Sequence, residues 1–301
     1  MSIQFRQYIA APQYGEDYIR LRRFLLQTEA VNYPFGRWDW MVSHSMLQES
    51  GLPHIGLWFD KDAIVGASTY DTQIDGKCFF VLRCGYERLY GDMIAYAEEN
   101  LAKDGNARLL IGDGNLAFQE AAAQRGYIAT QDKDCDAVFT ITPSATAYSL
   151  PAGFSITSMG ETYDLYQYGR VLWKGFNHEK NGEGEYIHSP EKHEQFRRQF
   201  ERPNVNPDLK IAVVAPDGNF AAYCGMWQDK DSKNALVEPV ATDPAYRRLG
   251  LGRAVVLEAI RRCGALGAAR AYVGSSQQFY YSIGFKPCMT STFWEKKAVR
   301  T

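Results

Sequence analysis

The sequence lacks the features that would point to a polymer or a membrane as its partner. Its 33 Lys and Arg residues nearly balance its 35 Asp and Glu residues, which leaves a formal net charge of -2. So small a charge gives no strong field to attract nucleic acid or anionic lipid. No apolar run reaches the ~18 residues of a membrane-spanning helix, and the first residues, MSIQFRQYIAAPQYGEDY, contain no apolar run of signal-peptide length. We therefore expect a cytoplasmic protein with no nucleic-acid or membrane partner.

Paired cysteines are also missing. The six cysteines are scattered, with no CxxC pair and no histidine at zinc-ligand spacing, and they are Cys78, Cys84, Cys135, Cys224, Cys263 and Cys288. This pattern predicts reduced, mostly buried thiols and no metal site.

What the chain does contain is an internal repeat. Its 301 residues exceed the usual ~100–200 residues of one domain, and 46% hydrophobic residues can supply two cores. AIVGASTY (63–70) resembles FAAYCGMW (220–227), residues 84–113 resemble 243–275, and NLAFQEAAAQRGY (115–127) resembles SQQFYYSIGF (276–285). All three pairs share an offset of about 160 residues, as expected of two tandem copies.

Each copy has the same order of predicted elements: a helical opening, a strand pair, a long helix, a strand, a short helix ending in Gly-aromatic, and a final strand. Strands alternating with helices predict a mixed α/β architecture in both halves. The segment ITPSATAYSLPAGF (141–154) breaks both periodicities. We place the boundary there, which gives domains 1–147 and 148–301.

The strongest local signal is the run Arg247, Arg248, Leu249, Gly250, Leu251, Gly252 and Arg253. It follows a strand-like ALVEPVAT (235–242) and begins a helix whose apolar face contains Val255, Val256, Ala259, Ile260 and Cys263. Arg253, Glu258, Arg261 and Arg262 are predicted to take the other face.

A glycine-bearing turn at a helix N-terminus presents unpaired amide groups at the positive end of the helix dipole, which favours an anion. Gly250 and Gly252 would let a pyrophosphate approach the backbone, and the arginines would add donors. The alternative is an ordinary glycine turn with solvated arginines. The run matches neither a P-loop nor a dinucleotide-binding fingerprint.

VEPVATDPAYRRLGLGRAVVLEAI resembles the acetyl-CoA-binding motif of the GNAT superfamily, Q/R-x-x-G-x-G/A, with Arg247, Gly250 and Gly252 at the defining positions. FYYSIGF resembles the final helix of that family, with Tyr280 four residues before the glycine of Gly284-Phe285. The resemblance covers about residues 152–296. It implies a mostly antiparallel mixed sheet flanked by helices in each domain, and acetyl-CoA as cosubstrate. It also implies that the backbone of Val240 and Thr242 pairs with the pantetheine arm.

The residues that follow from this resemblance can be assigned roles in amine acetylation. Tyr280 is the candidate general acid, although Tyr281 is an equally good acid on composition alone. Glu238 lies two residues before Val240, on the same face of the strand, and is the candidate general base, directly or through a water. The alternative for Glu238 is a solvent-facing or arginine-paired carboxylate. By resemblance, the Val240 amide would polarise the acetyl carbonyl.

Two further predictions concern the acceptor and the first half. The helix pair after the first strand shapes the acceptor pocket in the family, which makes Trp173, Phe176, Asn177 and His178 candidate lining residues. In the first half, the repeat places Tyr90 and Asp92 at the Gly250 and Gly252 positions, Ala122 at the Tyr280 position and Cys78 at the Glu238 position. The first half therefore resembles a degenerate GNAT domain.

The sequence thus predicts an N-acetyltransferase that transfers acetyl from acetyl-CoA to a primary amine by direct attack in a ternary complex. The amine would belong to a small molecule or a peptide, and the enzyme would act as a monomer or homodimer. The alternative is a non-catalytic acyl-CoA-binding sensor or protein-interaction module.

Overall fold

The structure is a computed structural model that describes residues 3–11 and 14–296. The chain forms two compact units. Unit 1 comprises Met1–Asp136 and Pro287–Thr301, and unit 2 comprises Ala137–Lys286. Among the described residues, no helix combines the length and the apolarity needed to cross a bilayer.

Unit 1 is a mixed sheet with helices. In chain order its elements are β1 (Ile3–Gln7), α1 (Glu16–Thr28), α2 (Phe35–Ser43), β2 (Gly56–Asp60), β3 (Ala63–Thr69), β4 (Lys77–Leu82), α3 (Tyr90–Asn100), β5 (Arg108–Gly112), α4 (Leu116–Gln124), most of β6 (Tyr127–Thr140) and β12 (Lys286–Lys296). The strands of unit 1 lie in the order β1-β2-β3-β4-β5-β12-β6. β4 and β5 run parallel, whereas β1 to β4 are antiparallel to one another in succession and β12 is antiparallel to β5.

Unit 2 repeats this arrangement. Its elements are β7 (Ser155–Ser158), α5 (Leu165–Gly175), α6 (Pro190–Phe200), β8 (Lys210–Val214), β9 (Phe220–Gln228), β10 (Asn234–Thr242), α7 (Leu251–Ala265), β11 (Arg270–Val273) and α8 (Gln278–Ile283). The strand order is β11-β10-β9-β8-β7, with the end of β6 beside β11. Only β10 and β11 run parallel among the pairs of defined register in this unit. The predicted mixed, mostly antiparallel sheet flanked by helices is confirmed for both halves.

The compact units differ from the predicted division at residue 147. The strand beside β5 in unit 1 is β12, from the end of the sequence, and the strand beside β11 in unit 2 is formed by residues 137–140 of β6. Each sheet is therefore completed by a segment from the other half of the chain. A division read along the sequence cannot represent this arrangement. The degenerate character of the first half stays a prediction.

Helix α7 is the central helix of unit 2, and it packs on β8, β9 and β10. Val255, Val256 and Ile260 are fully buried in this core. Glu258 is predicted to lie opposite the apolar residues of α7, yet its side chain is buried, with only 3% of the residue exposed. Arg261 and Arg262 pair with its carboxylate at 2.7 and 2.9 Å, and these neighbours make its burial possible.

Candidate functional site

The strand β10 has an open edge in its second half. It pairs with β11 only at Asn234, Ala235 and Leu236, so the strands diverge beyond that point. The amide of Asp243 donates to the carbonyl of Ala221 at 3.0 Å. Because hydrogen-bonded pairs alternate along an antiparallel ladder, the backbone groups of Val240 and Thr242 face away from β9. The backbone groups of these two residues are therefore on the side of β10 that β11 leaves open.

A β-bulge lies where the strands diverge. The register between β10 and β9 shifts between Val237 and Val240, and the Glu238-Pro239 peptide within the bulge is cis. Opposite the bulge, a Cβ at Gly225 would lie 2.5 Å from the Glu238 carbonyl oxygen, so this close approach requires glycine. The indole of Trp227 donates to the same carbonyl at 3.0 Å. The backbone at Glu238 is thus held from β9.

The N-terminus of α7 presents free amide groups. Gly250 has φ +78, and no side chain caps the helix. The Ala254 amide donates to the Gly250 carbonyl at 3.0 Å, which leaves the amides of Leu251, Gly252 and Arg253 without an intrahelical acceptor. Three convergent amides at the positive end of a helix dipole fit a diphosphate.

Glycine is required at the two positions of this turn for different physical reasons. A Cβ at Gly250 would meet no atom within 4 Å, so the left-handed backbone and the open space above it explain glycine there. A Cβ at Gly252 would lie 3.0 Å from the Thr242 hydroxyl and 3.2 Å from the Phe279 ring. Gly252 therefore allows α7 to pack closely against β10 and α8, a role that the sequence pattern did not reveal.

The three arginines of the turn are not equivalent. Arg247 donates to the carbonyls of Thr242 and Gly175, at 3.1 and 2.9 Å, and so already occupies one of the acceptors predicted for pantetheine. Arg253 donates to two carbonyls at the end of α8, at 3.2 and 3.3 Å. Arg248 is exposed at φ +65 and makes no hydrogen bond or ion pair with the described residues. Arg248 is thus the arginine best placed to meet an anion.

The side chains of the two leucines in this turn also differ. Leu251 is 1% exposed and belongs to the core, so only its amide can serve a ligand. Leu249 is 47% exposed and borders a cavity of about 600 Å³. The cavity is lined by Ala147, Tyr148, Ser149, Leu150, Pro151, Leu249, Gly250, Arg253 and Ala254. Sequence reasoning treated 147–151 only as a joint and missed this contribution.

Tyr280 lies beside the bulge. Its side chain is 8% exposed, and its hydroxyl makes no hydrogen bond to the described residues. Burial raises the pKa of Tyr280 well above its ordinary value, and the nearby Cys224 and Glu238 raise it further. The phenol therefore stays protonated at neutral pH and senses the Glu238 charge. Tyr281, the alternative acid, is only partly buried.

The predicted acceptor residues lie at the end of α5 and just after it. Trp173 stacks on His178 with ring centroids 4.4 Å apart, and His178 contacts Glu183 at 2.8 Å. Asn177 accepts a hydrogen bond from Arg247 at 3.0 Å, which joins this segment to the glycine turn. Phe176 is 47% exposed.

Two aromatic contacts near this segment escaped sequence reasoning. The Lys192 ammonium lies 4.7 Å from the Trp173 ring centroid and 5.3 Å from that of Tyr186. Tyr186 in turn contacts the imidazole of His188 at 2.8 Å.

Among the described residues, no group of three or more His, Cys, Asp or Glu side chains could hold a metal ion.

Unit 1 has similarly divergent strands but a different helix start. β4 pairs in parallel with β5 only at Lys77 and Cys78. Tyr90 begins α3, stacks on Phe118 with centroids 4.3 Å apart, and accepts a hydrogen bond from Asn115 at 2.7 Å. A buried aromatic ring thus stands near the helix start where unit 2 has a glycine.

Comparison with known proteins agrees with this geometry. Residues 173–285 match the acetyltransferase (GNAT) family. A curated protein of Bacillus subtilis (strain 168), provisionally named a ribosomal protein bS18-alanine N-acetyltransferase, is 30% identical over 88 residues, or 27% of this chain and 57% of that protein. The match thus spans little more than half the length of this relative.

Solved structures extend the likeness to the whole chain. A GCN5-related N-acetyltransferase from Sphaerobacter thermophilus has a TM-score of 0.60 at 12% identity, over 98% of this chain and 95% of that one. A tandem GNAT protein from the clavulanic acid biosynthesis pathway has the same TM-score and identity over 100% of both chains. Within the second half of the chain, residues 173–285 match the acetyltransferase (GNAT) family. The fold of the chain over its full length is that of a tandem two-domain GNAT protein.

Proposed function

We propose that unit 2 transfers an acetyl group from acetyl-CoA to a primary amine by direct attack in a ternary complex. One observation carries the proposal: the open edge of β10, the uncapped N-terminus of α7 and the Tyr280 hydroxyl occur together in the unit that matches the acetyltransferase family. A thioester donor needs each of these three features, since it must be aligned, anchored and given a proton for its leaving group.

The backbone and the glycine turn would bind the donor. The Val240 carbonyl and the Thr242 amide on the open edge would pair with the pantetheine arm, which leaves the Val240 amide for the acetyl carbonyl. The amides of Leu251, Gly252 and Arg253 would accept the pyrophosphate, with Arg248 as an added cation and Leu249 as a cavity wall. Arg247 would act indirectly, because it fixes the end of β10 through the Thr242 carbonyl.

The transfer step requires two proton movements. The amine nitrogen forms a bond to the acetyl carbon while the carbon–sulfur bond breaks. The proton lost from the amine passes to the Glu238 carboxylate, directly or through a water. The Tyr280 phenol gives its proton to the departing thiolate, and the Val240 amide stabilises the carbonyl oxygen as negative charge develops on it.

The acceptor would approach from the segment after α5. Trp173, Phe176, Asn177 and His178 combine exposed aromatic surface with polar groups, which suits an amine on a small molecule or on a peptide. The curated Bacillus relative is named for acetylation of an alanine, so a peptide with an N-terminal alanine belongs among the acceptors tested. A cytoplasmic location is part of this proposal, because acetyl-CoA is available there.

The test is calorimetric titration of the purified protein with acetyl-CoA, followed by an amine screen that measures the released CoA thiol. We expect one binding site per chain, since unit 1 lacks the glycine turn, and thiol release that depends on the added amine. Absence of acetyl-CoA binding would refute the proposal. Binding without release by any amine would instead favour an acyl-CoA sensor.

A further inference from the structure

A buried lysine lies next to the bulge in unit 2. Lys210 is the first residue of β8 and is only 3% exposed. Its ammonium donates to the Met226 carbonyl at 2.8 Å and lies 3.4 Å from the centroid of the Trp227 ring. Burial of an ammonium is unfavourable unless its hydrogen bonds and charge are compensated. The family motifs do not include this residue, and the proposed reaction does not use it.

Lys210 reaches the Met226 carbonyl from the first position of β8, next to the bulge between β9 and β10. Between two ladder positions, β10 runs from Val237 to Val240 while β9 runs only from Met226 to Cys224. The extra residue disrupts the regular ladder between β10 and β9. Lys210 donates to the carbonyl on the β9 side, and the Trp227 indole donates to the Glu238 carbonyl on the β10 side.

The same three strands hold the two donors together. Lys210 pairs in register with Gly225, the glycine that gives the Glu238 carbonyl its close approach. The ammonium of Lys210 lies against the Trp227 ring, so each donor fixes the other. Burial raises the pKa of the Cys224 thiol. The charge of Lys210 lowers this pKa and that of Glu238 raises it, so both charged groups lie near the same thiol in the core.

We propose that Lys210 and Trp227 form a clamp that fixes the Glu238-Pro239 bulge and so positions Glu238 and Val240 for acetyl transfer. Lys210 is a positioning residue, because it acts through the backbone of β9 and β10. The anchoring amides of α7 lie outside the clamp. Loss of the clamp therefore affects turnover more than the affinity for acetyl-CoA. The effect on turnover rests on the proposed function, whereas the effect on the bulge does not.

The test compares Lys210→Met with Lys210→Arg, which keeps a cation and a donor, and with Lys230→Met in the exposed turn after β9. In Lys210→Met, amide exchange within residues 237–242, read at the Ala241 amide that faces β9, is expected to accelerate about tenfold or more, because local opening becomes easier. The kcat should fall at least ~10-fold through misplacement of the reacting groups, with the acetyl-CoA dissociation constant nearly unchanged. Lys210→Arg should restore most of the amide protection and most of the kcat.

The possible outcomes test the clamp separately from the proposed acetyl transfer. Unchanged exchange and kcat in Lys210→Met, or equal losses in Lys230→Met, overturn the clamp. Faster exchange at 237–242 in a protein that acetylates no amine keeps the clamp and overturns the proposed function. If Lys210→Met fails to fold, Trp227→Phe removes only the indole donor. Wild-type exchange and turnover in that variant also overturn the clamp.

Discussion

Tyr280 and Tyr281 are adjacent phenols in different surroundings. Tyr280 is 8% exposed beside the bulge, and its ring packs at 5.5 Å from the ring of Phe285. Its pKa is raised by burial and then by Cys224 and Glu238. A phenol with a raised pKa keeps its proton but gives it up less readily in the ground state. Donation therefore depends on the strongly basic thiolate that forms only as the thioester breaks.

Tyr280→Phe is expected to lower kcat by about 100-fold while acetyl-CoA still binds, because only proton donation is removed. Tyr281→Phe is the matched control and should retain nearly wild-type turnover. Steady-state kinetics and calorimetry measure the two effects. In the wild type, loss of activity through ionisation of Tyr280 should not appear below pH ~10, the ordinary value that its own pKa exceeds. Equal losses in the two variants would argue against Tyr280 as the acid.

At this scale, sequence reasoning succeeded where a residue's position depends on local backbone. The sequence pattern predicted a glycine-bearing turn at the start of a helix, and Gly250, at φ +78, directly precedes α7. Sequence reasoning failed for residues whose burial depends on the pairing of separate strands. Nothing near Lys210 in the sequence indicates that its ammonium lies over Trp227, since that contact requires β8 and β9 to pair in register.

Helix α7 and strand β10 are the elements that would hold the donor. The helix offers three amides without intrahelical acceptors, and the strand offers an unpaired edge beyond Leu236. Both features place backbone dipoles at fixed positions, so little reorganisation is needed on binding. The affinity for the diphosphate should therefore depend on access to the backbone at the glycine turn.

Gly250→Val should weaken acetyl-CoA binding at least ~10-fold, because a branched side chain disfavours positive φ and covers the amides. Gly218→Val is a close control. Gly218 has φ +84 and open space around its missing Cβ, as Gly250 does at φ +78, but it lies in the turn between β8 and β9. Calorimetry should show weakened binding only in the first variant. Similar weakening in both would mean that backbone strain, and not the helix terminus, controls affinity.

The same elements show which part of the site the sequence could not predict. The helical spacing of α7 placed Glu258 opposite the apolar residues, but it did not predict that this carboxylate is buried. Arg261 and Arg262, three and four residues later, neutralise it, and the Tyr148 hydroxyl contacts it at 3.1 Å. Burial alone would raise the pKa of Glu258, but these hydrogen bonds lower it. The Tyr148 contact spans more than a hundred residues of sequence, beyond any local pattern.

Over the whole chain, the repeat predicted two similar units, but it did not predict that β12 joins unit 1 or that residues 137–140 of β6 join unit 2. Self-similarity reports the order of elements, and both halves indeed end in a strand, β6 and β12. It carries no information on which sheet each strand joins, because pairing between strands depends on residues that are distant in the sequence. As a result, unit 1 depends on residues from the opposite end of the sequence.

Phe293 in β12 provides a test of that dependence. It is 8% exposed in the core of unit 1, pairs in register with Leu110, and has the Arg108 guanidinium 4.7 Å from its ring centroid. Phe293→Ala should lower the free energy of unfolding of unit 1 by about 3 kcal/mol, since it leaves a cavity in a packed core. Leu116→Ala, at a side chain that is 73% exposed, should change it by less than about 0.5 kcal/mol.

Hydrogen exchange during denaturant unfolding distinguishes the two units. In Phe293→Ala, the peptides of β5 should lose protection at lower denaturant, because β12 is their hydrogen-bonded neighbour. Peptides of α7 should keep wild-type protection, and acetyl-CoA affinity should be unchanged, since the open edge of β10 and the glycine turn belong to unit 2. Early loss of protection in α7 with none in β5 would contradict the assignment of β12 to unit 1. The binding site would then depend on the last strand in a way that the separate cores do not explain.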